Sequence, residues 1–426
     1  MSTVYKYFFD KFNILNFFIA SIPLSMILGN LAININIFII IILGFLSFGI
    51  KIFITKKKIL NMLIYSFFFY LFAITLLNNW NLLSENILYK EHLIKSLFYL
   101  RFLLLFLIID KLIENKSFNT KFFFISCAFF SLIISIDIII QFFFKKNIFG
   151  FEIIIDKPSS FFGQENIAGG FIQRFIYFFI FLYLIIKKKS NNNFLIFLLL
   201  LFFLIPIILT ANRMPAIIYA FSVILYFVLE KKFKAIFFSI IILCSIFLTI
   251  SFTNFSNRLH TDIKIFFIDS KNIIFNAPNL FIKNELNYNF LRNDYLIHFN
   301  TGIQIWKQNK IFGNGLKSFR LKCTKQKFQT CNTHPHNYII EIMVDTGLIG
   351  LFLIYSVFFI GLKNFLKYYQ NSKNLNDKML FAALFLSIAL EFFPIRSTGS
   401  FFTTGNSVFI FLILPIFLNI EKIKKL

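Results

Sequence analysis

The sequence predicts an all-α membrane protein with about twelve transmembrane helices, and three observations support this prediction. Hydrophobic residues make up 58% of the chain and charged residues only 15%, whereas soluble domains carry about 25% charged residues. Apolar segments of about 20 residues, long enough to cross the hydrocarbon core of a bilayer, recur along the whole chain. Basic residues gather in short runs between these segments, as the positive-inside rule expects.

Short polar or basic loops separate the apolar segments, and the change in residue type marks each boundary. The segments form one membrane domain over residues 1–426, and no internal repeat is evident. The predicted spans cover residues 12–29, 33–54, 60–78, 97–113, 122–143, 167–186, 194–210, 214–230, 235–253, 338–362, 379–395 and 406–420.

Every second loop carries a basic run, and this alternation orients the chain in the membrane. Lys56–Lys58, Lys187–Lys189 and Lys231 with Lys232 lie in alternate loops. Because cytoplasmic loops are rich in Lys and Arg, both termini are predicted to be cytoplasmic. The large hydrophilic loop 254–337, between the ninth and tenth spans, is then predicted on the opposite face.

The net charge of +24 is explained by these loops and does not indicate a nucleic-acid partner. Residues 254–336 hold twelve Lys or Arg and four Asp or Glu. The excess predicts an anionic partner, and a solvated loop in a generally basic protein is the alternative. Within this loop, Asn293–Lys310 predicts a short amphipathic helix at the membrane surface, in contact with lipid.

The cysteines fall into two pairs. Cys127 and Cys244 lie inside predicted spans, where a thiol packs as a small apolar group. Cys323 and Cys331 lie eight residues apart in the large loop, and an oxidising compartment would join them. A zinc site built with nearby histidines is the alternative. A CxxC pair is missing, so no metal site and no cofactor are predicted.

Two of the five histidines, His334 and His336, flank a proline just before the tenth span. Free backbone N–H groups at such a helix start attract phosphate oxygens. Asn337, Glu341 and Asp345 then recur every four residues and form a polar stripe on an apolar helix. Carboxylates inside a membrane helix face a cavity or a partner, so the stripe predicts a functional site in which Glu341 orients His336. Interfacial histidines with a structural carboxylate paired to an arginine are the alternative.

Arginines near the predicted membrane surface form a second candidate group. Arg213, in "TANRMPA", lies in a tight turn between the seventh and eighth spans on the outer face. A guanidinium binds phosphate through a rigid planar fork, and interfacial snorkelling is its alternative role. The other candidates in spans or outer loops are Arg101, Arg174, Arg258, Arg292, Arg320 and Arg396.

Several of these segments, in the same order along the chain, resemble motifs of the bacterial O-antigen ligase and O-antigen polymerase family. His336-Asn337, nine residues and then Gly347–Gly350 fit its histidine motif. "TANRMPAI" resembles its arginine motif, although Asn212 and Met214 flank the arginine where Ser and Gly are usual. "IFGNGLKSFRLKC" resembles its segment with GxG before Phe-Arg, and "SSFFGQENIAGG" and "FFPIRSTGSFF" resemble two further outer segments.

The resemblance implies transfer of a glycan from undecaprenyl diphosphate at the periplasmic face of the inner membrane, without metal or nucleotide. His336 would be the general base that deprotonates the acceptor hydroxyl, and the attack would invert the anomeric carbon. Arginines would grip the diphosphate, and which loop arginine does so stays open. The predicted diphosphate and substrate contacts are Arg213, Arg320, Arg258, Arg292, His334 and Asn337.

The resemblance leaves the acceptor open. A ligase would use lipid A–core, a polymerase another lipid-linked glycan, and a protein O-oligosaccharyltransferase a protein; the ligase is favoured. A transporter or flippase of lipid-linked oligosaccharide is the alternative from another class. Such a protein would show repeated halves and polar groups near the bilayer midplane, whereas the polar groups here gather at the outer edge.

Overall fold

The computed structural model describes residues 11–54, 58–79, 87–153, 157–189, 192–252, 294–325, 331–394, 396 and 399–423. Within these ranges the chain is α-helical and contains no β-strand, in agreement with the predicted all-α class. Arg258, Arg292 and much of the large loop lie outside the described residues.

The first nine predicted spans coincide with helices or a helix pair. Their sequences are apolar along most of their length, and asparagines cap two of them. The side chains of Asn119 and Asn192 each accept a hydrogen bond from a backbone N–H of the first turn. The helices are α1 (Lys11–Ala20), α2 (Ile22–Leu28), α3 (Asn30–Phe48), α4 (Lys58–Asn79), α5 (Ile87–Glu114), α6 (Thr120–Phe144), α7 (Ala168–Ile186), α8 (Asn193–Leu209), α9 (Arg213–Leu229) and α10 (Phe233–Phe252).

Two helices of the large loop precede those of the last three predicted spans. The first of the two is the amphipathic segment predicted at 293–310. The remaining helices are α11 (Asp294–Gln308), α12 (Ser318–Lys325), α13 (Tyr338–Asn371), α14 (Leu375–Ala389) and α15 (Thr404–Leu418).

The chain is a polytopic membrane protein. In the described ranges, six helices are long and apolar enough to cross a bilayer alone, namely α3 to α7 and α13. α1 and α2 are bent by 43° and would add a seventh span as a broken pair. α8, α9, α15 and the searched part of α10 are apolar but only 10–17 residues long. The predicted count of twelve spans therefore stays a prediction.

The bundle has a buried centre and a lipid-facing periphery. Every residue of α15 from Ser407 to Leu418 is buried, which is typical of a helix surrounded by other helices. α3 instead exposes Leu31, Ile35 and Phe38 along one face. Because spacings of three and four residues define one side of a helix, this side faces lipid.

α13 is interrupted at Gly347, whose φ of 64° and ψ of −164° are not helical. Residues 310–315, named here the GNG segment, fill the interruption. Backbone hydrogen bonds of 2.8–3.3 Å join them to residues 344–349. The inserted segment thus satisfies N–H and C=O groups that a break in a membrane helix would otherwise leave without partners.

Two glycines allow this close backbone contact. A Cβ on Gly313 would lie 2.4 Å from the nitrogen of Gly347, and a Cβ on Gly347 would lie 2.2 Å from the oxygen of Ile311. Both glycines also have positive φ, at 81° and 64°. The GxG and GxxG motifs seen in the sequence therefore serve one and the same contact.

We expect Gly347→Ala to lower the free energy of unfolding by about 2 kcal/mol or more, because the added methyl overlaps backbone and Ala disfavours this φ. Thermal unfolding in detergent measures the loss. Gly405→Ala is the matched control, since a Cβ there meets nothing within 4 Å. An unchanged midpoint for Gly347→Ala would contradict the contact.

Candidate functional site

The two predicted histidines lie in a turn before α13, named here the histidine turn (residues 332–337). His336 has a left-handed φ of 57°, which His adopts more readily than most residues with a side chain. Asn337 follows, and its side chain caps α13 by accepting from Ile340 N at 3.1 Å. The imidazoles of His334 and His336 therefore lie together at the helix start, with ring centroids 4.2 Å apart.

α11 packs against α13 beside this turn, and its predicted position at the membrane surface stays a prediction. A Cβ on Gly302 would lie 2.5 Å from the side chain of Ile340, so the two helices are very close. His298 and Tyr295, one and two turns before Gly302, lie 5.4 and 5.7 Å from the His336 ring. Sequence reasoning missed both; the amphipathic pattern of the helix was their only signal.

The chain before the histidine turn is fixed by a disulfide. Cys323, in α12, is bonded to Cys331, with a Cα–Cα distance of 5.7 Å. The bond ties α12 directly to the start of the turn. It also removes the two thiolates on which the zinc alternative depended.

Asn332 sets the tautomer of His336. Its Oδ1 accepts from Thr333 N at 2.7 Å, so its Nδ2 is the group that faces His336 Nε2 at 2.8 Å. The amide therefore donates to Nε2, and the single proton of a neutral imidazole lies on Nδ1. Asn332 was not among the predicted site residues.

Both imidazoles of the turn are neutral at neutral pH. Burial, with a contribution from the charge of His298, lowers the pKa of His336 to about 4. Burial and the charges of His336, His298 and Lys317 lower the pKa of His334 to about 4. A neutral imidazole carries the lone pair that a general base needs.

The polar stripe of α13 is present, and its side chains anchor loops. Asn337 Nδ2 donates to Pro394 O at 2.8 Å. Glu341 accepts from Ser400 Oγ and from Phe401 N, each at 2.6 Å. These bonds hold the Ser400 loop, described at residues 394, 396 and 399–403. The predicted roles of Glu341 as an orienter of His336 and of Asn337 as a substrate contact gain no support from these hydrogen bonds.

Asp345, the third member of the stripe, caps α12. Its carboxylate accepts from Lys317 N at 2.7 Å, from Ser318 N at 3.1 Å and from Ser318 Oγ at 2.8 Å. A carboxylate at a helix N-terminus satisfies N–H groups and complements the helix dipole. The stripe therefore fixes α12 as well as the Ser400 loop.

A buried ion cluster contacts Tyr338, two residues after His336. Arg174 donates to both carboxylate oxygens of Glu391 at 2.8 and 2.9 Å, and Arg396 donates to the same carboxylate at 2.6 Å. Arg174 also donates to Tyr338 OH at 3.3 Å and to Asn406 Oδ1 at 2.7 Å. The structural carboxylate that the sequence left as an alternative is thus Glu391 and not Glu341.

Arg213 and the histidine turn lie at the same end of the bundle. The turn before Arg213 is joined to the chain just before α7, because Asn212 Nδ2 donates a 2.6 Å hydrogen bond to the oxygen of Asn166. Arg174, further along α7, reaches Tyr338, two residues after His336. Arg213 itself is exposed as the first residue of α9.

Arg320 has a different setting. It is exposed on α12, and its charge acts on Glu91 of α5. With Arg258 and Arg292 outside the described residues, Arg320 is the described member of the three predicted loop arginines.

Residues 196–355, from α8 to the middle of α13, match the family model described as O-antigen ligase. Over this segment the chain is similar to the O-antigen ligase family. No curated protein matches it. The matched segment includes Arg213, the GNG segment and the histidine turn. Arg174, Glu391 and the Ser400 loop lie outside the match and still hold the turn in place.

Glu341→Gln is expected to loosen the Ser400 loop, because an amide places N–H donors where the carboxylate accepts from Ser400 and Phe401. Loss of one charge-assisted hydrogen bond corresponds to about tenfold faster local opening. Hydrogen exchange of peptides covering 399–403 measures it. Glu152→Gln, at a side chain 74% exposed, is the control. Equal exchange in the two variants would argue against the anchor.

Proposed function

We propose that this protein transfers a glycan from undecaprenyl diphosphate to a lipid A–core acceptor at the periplasmic face of the bacterial inner membrane, with both termini cytoplasmic. The observation that carries the proposal is the position of His336 Nε2, 2.8 Å from Asn332 Nδ2, at the start of a membrane helix and at the same end of the bundle as Arg213. The match of residues 196–355 to the O-antigen ligase family model supports glycan transfer as the reaction class.

His336 would act as the general base. The acceptor hydroxyl would replace the Asn332 N–H as the donor to Nε2 and pass its proton to that nitrogen while its oxygen attacks the anomeric carbon. The bond between that carbon and the phosphate oxygen breaks, and the diphosphate leaves with the electron pair. The sugar carbon is inverted, and the imidazolium then releases its proton to water.

Arg213 would hold the leaving diphosphate. Its guanidinium stays charged and can make two parallel hydrogen bonds to phosphate oxygens. Its position at the start of α9 adds backbone N–H groups and the positive end of the helix dipole. Arg320, Arg258 and Arg292 are proposed as further contacts, with His334 beside the base.

Two other activities share parts of this geometry. An O-antigen polymerase or a protein O-oligosaccharyltransferase would use the same base and clamp with another acceptor hydroxyl. A flippase is disfavoured because the described ion cluster and polar stripe are joined to outer loops by hydrogen bonds, which suits a fixed site at one face better than a moving pathway.

His336→Ala is expected to reduce glycan transfer by about a hundredfold or more, the usual contribution of general-base catalysis, while leaving donor binding intact. Arg213→Ala is expected to weaken donor binding as well. Purified protein is mixed with the lipid-linked donor and lipid A–core, and the product is followed on gels. Lys187→Ala, exposed at the other end of α7, is the control.

The same assay separates the alternatives. Full transfer by the His336→Ala variant would refute the role of His336 as general base. Glycan ladders formed without lipid A–core would indicate a polymerase and not a ligase.

The pH profile provides an independent prediction. Because the pKa of His336 is about 4, kcat/KM is expected to stay high from pH 7 to about pH 5 and to fall only as the imidazole gains a proton below that. An ordinary histidine would titrate near pH 6.5. Initial rates between about pH 4 and 8 measure this, with recovery at pH 7 as a test of intact protein. A midpoint near 6.5 would contradict the buried base.

A further inference from the structure

The chain between α6 and α7 forms a short hairpin with exposed apolar side chains, named here the aromatic hairpin (residues 145–153). Backbone hydrogen bonds of 2.9–3.1 Å close it. Ile148, Phe149 and Phe151 at its tip are 54%, 73% and 63% exposed. Apolar groups gathered on the surface of one ordered element usually mark a face that a partner covers.

Buried polar side chains of α6 hold the aromatic hairpin in one position. Asp137 accepts from Ile148 N at 2.8 Å and from Ser160 Oγ. Gln141 accepts from Ser159 N at 2.9 Å and from Ser160 N at 2.8 Å. Both α6 side chains are completely buried, so breaking these bonds would leave buried polar groups without partners. The tip therefore stays outside the bundle.

The length of α6 places the aromatic hairpin at the boundary between hydrocarbon and lipid headgroups. α6 has 25 residues and is apolar enough to cross a bilayer. At about 1.5 Å per residue it is about 37 Å long, whereas the hydrocarbon core is about 30 Å thick. Its last residues, Phe143 and Phe144, are exposed as lipid-facing side chains are. The hairpin follows them directly.

The aromatic hairpin also carries a positive charge beside its apolar tip. Lys145 and Lys146 are both exposed. Lys146 pairs with Glu152 at 3.2 Å, and this pair is solvated, so Lys145 leaves the hairpin with a net positive charge. Charged residues are depleted at the centre of protein interfaces, whereas lysine next to apolar groups suits an anionic lipid surface.

Contacts join the aromatic hairpin to the end of the bundle at which the histidine turn lies. The ring of Phe149 is 5.2 Å from that of Phe161, in the segment that leads to α7. Asn166, later in the same segment, accepts from Asn212, the residue before Arg213. The hairpin therefore supports the chain on which the turn before Arg213 rests.

We propose that the aromatic hairpin enters the headgroup layer of the bilayer at this end of the bundle and binds an anionic phospholipid. Ile148, Phe149 and Phe151 would lie among the upper parts of the acyl chains, as the apolar face of an interfacial element does. The ammonium of Lys145 would extend to a phosphate oxygen. Lipid binding here is independent of glycan transfer.

The first test measures insertion of the tip. Phe149→Cys is made in a Cys244→Ser background, because the other cysteines are buried or disulfide-bonded. The full-length protein is labelled with the fluorophore NBD and placed in phosphatidylcholine nanodiscs that contain lipid with a spin label at the top of the acyl chain. Phe151→Cys gives a second label position, and Glu165→Cys, exposed in the following segment, is the control.

We expect the spin-labelled lipid to quench labels at positions 149 and 151 at least twofold more than the label at position 165, because an apolar tip enters the acyl region whereas a charged position stays in water. Quenching at both hairpin positions that is no stronger than at position 165 would overturn the insertion.

The second test measures the preference for anionic lipid. The label at position 149 is quenched with spin-labelled phosphatidylglycerol or phosphatidylcholine at equal mole fraction. We expect phosphatidylglycerol to quench up to about fivefold more strongly, the effect of one lysine near an anionic surface, and Lys145→Gln to remove most of this difference. Lys188→Gln is the control, since Lys188 has a similar left-handed φ and is exposed beyond the other end of α7.

Two results of this second test would contradict the lipid site. Equal quenching by the two lipids would overturn the preference for an anionic headgroup. Quenching that rises with the number of protein copies per nanodisc, and not with spin-labelled lipid, would show that a second copy of the chain covers the aromatic hairpin.

Discussion

One face of α13 supplies hydrogen bonds to the chain segments that form the end of the bundle at which the histidine turn lies. A segment at the membrane boundary cannot leave its backbone N–H groups without partners, because little water reaches them. Glu341 and Asp345 accept from the Ser400 loop and from the start of α12, and Asn337 caps its own helix while donating to residue 394. Histidine turn, Ser400 loop and α12 are therefore all positioned against a single helix.

The buried ion cluster of Arg174, Arg396 and Glu391 fixes the relative positions of helices more than it stabilises the fold. Removing charges from water is costly, and a buried pair often does no better than an apolar replacement. The forked contact of Arg174 with Glu391, however, allows one geometry only. Since Arg174 also bonds Tyr338 and Asn406, the cluster locks α7, α13 and α15 together next to the neutral imidazoles.

Much of this arrangement follows from the sequence. Apolar segments predicted the helices of the bundle and an amphipathic pattern predicted α11, whereas α12 was not predicted. The clustering of histidines and cysteines before one span predicted the candidate site. The roles of individual polar residues did not follow. A carboxylate in an apolar helix can accept from a ligand or from a loop, and Glu341 has the same sequence signature in either case. An amphipathic helix can cover lipid or protein with equal periodicity, so α11 and its His298 could not be assigned to the site.

The length of each helix that lies in the membrane could not be predicted either. Apolar runs such as α8 and α15 are too short to qualify as spans by length alone, and residue type does not indicate how deeply such a helix lies. Likewise, GxxG is compatible with tight helix packing, and only the GNG segment in contact with Gly347 shows that the motif marks an interruption.

Formation of the disulfide between Cys323 and Cys331 is a distinct step in the assembly of the site. Thiols stay reduced in the cytoplasm and are oxidised outside it, so this covalent closure depends on the compartment in which the segment folds. Until the bond forms, the start of the histidine turn lacks its covalent link to α12. The order of the histidine turn is therefore sensitive to the redox conditions under which the chain folds.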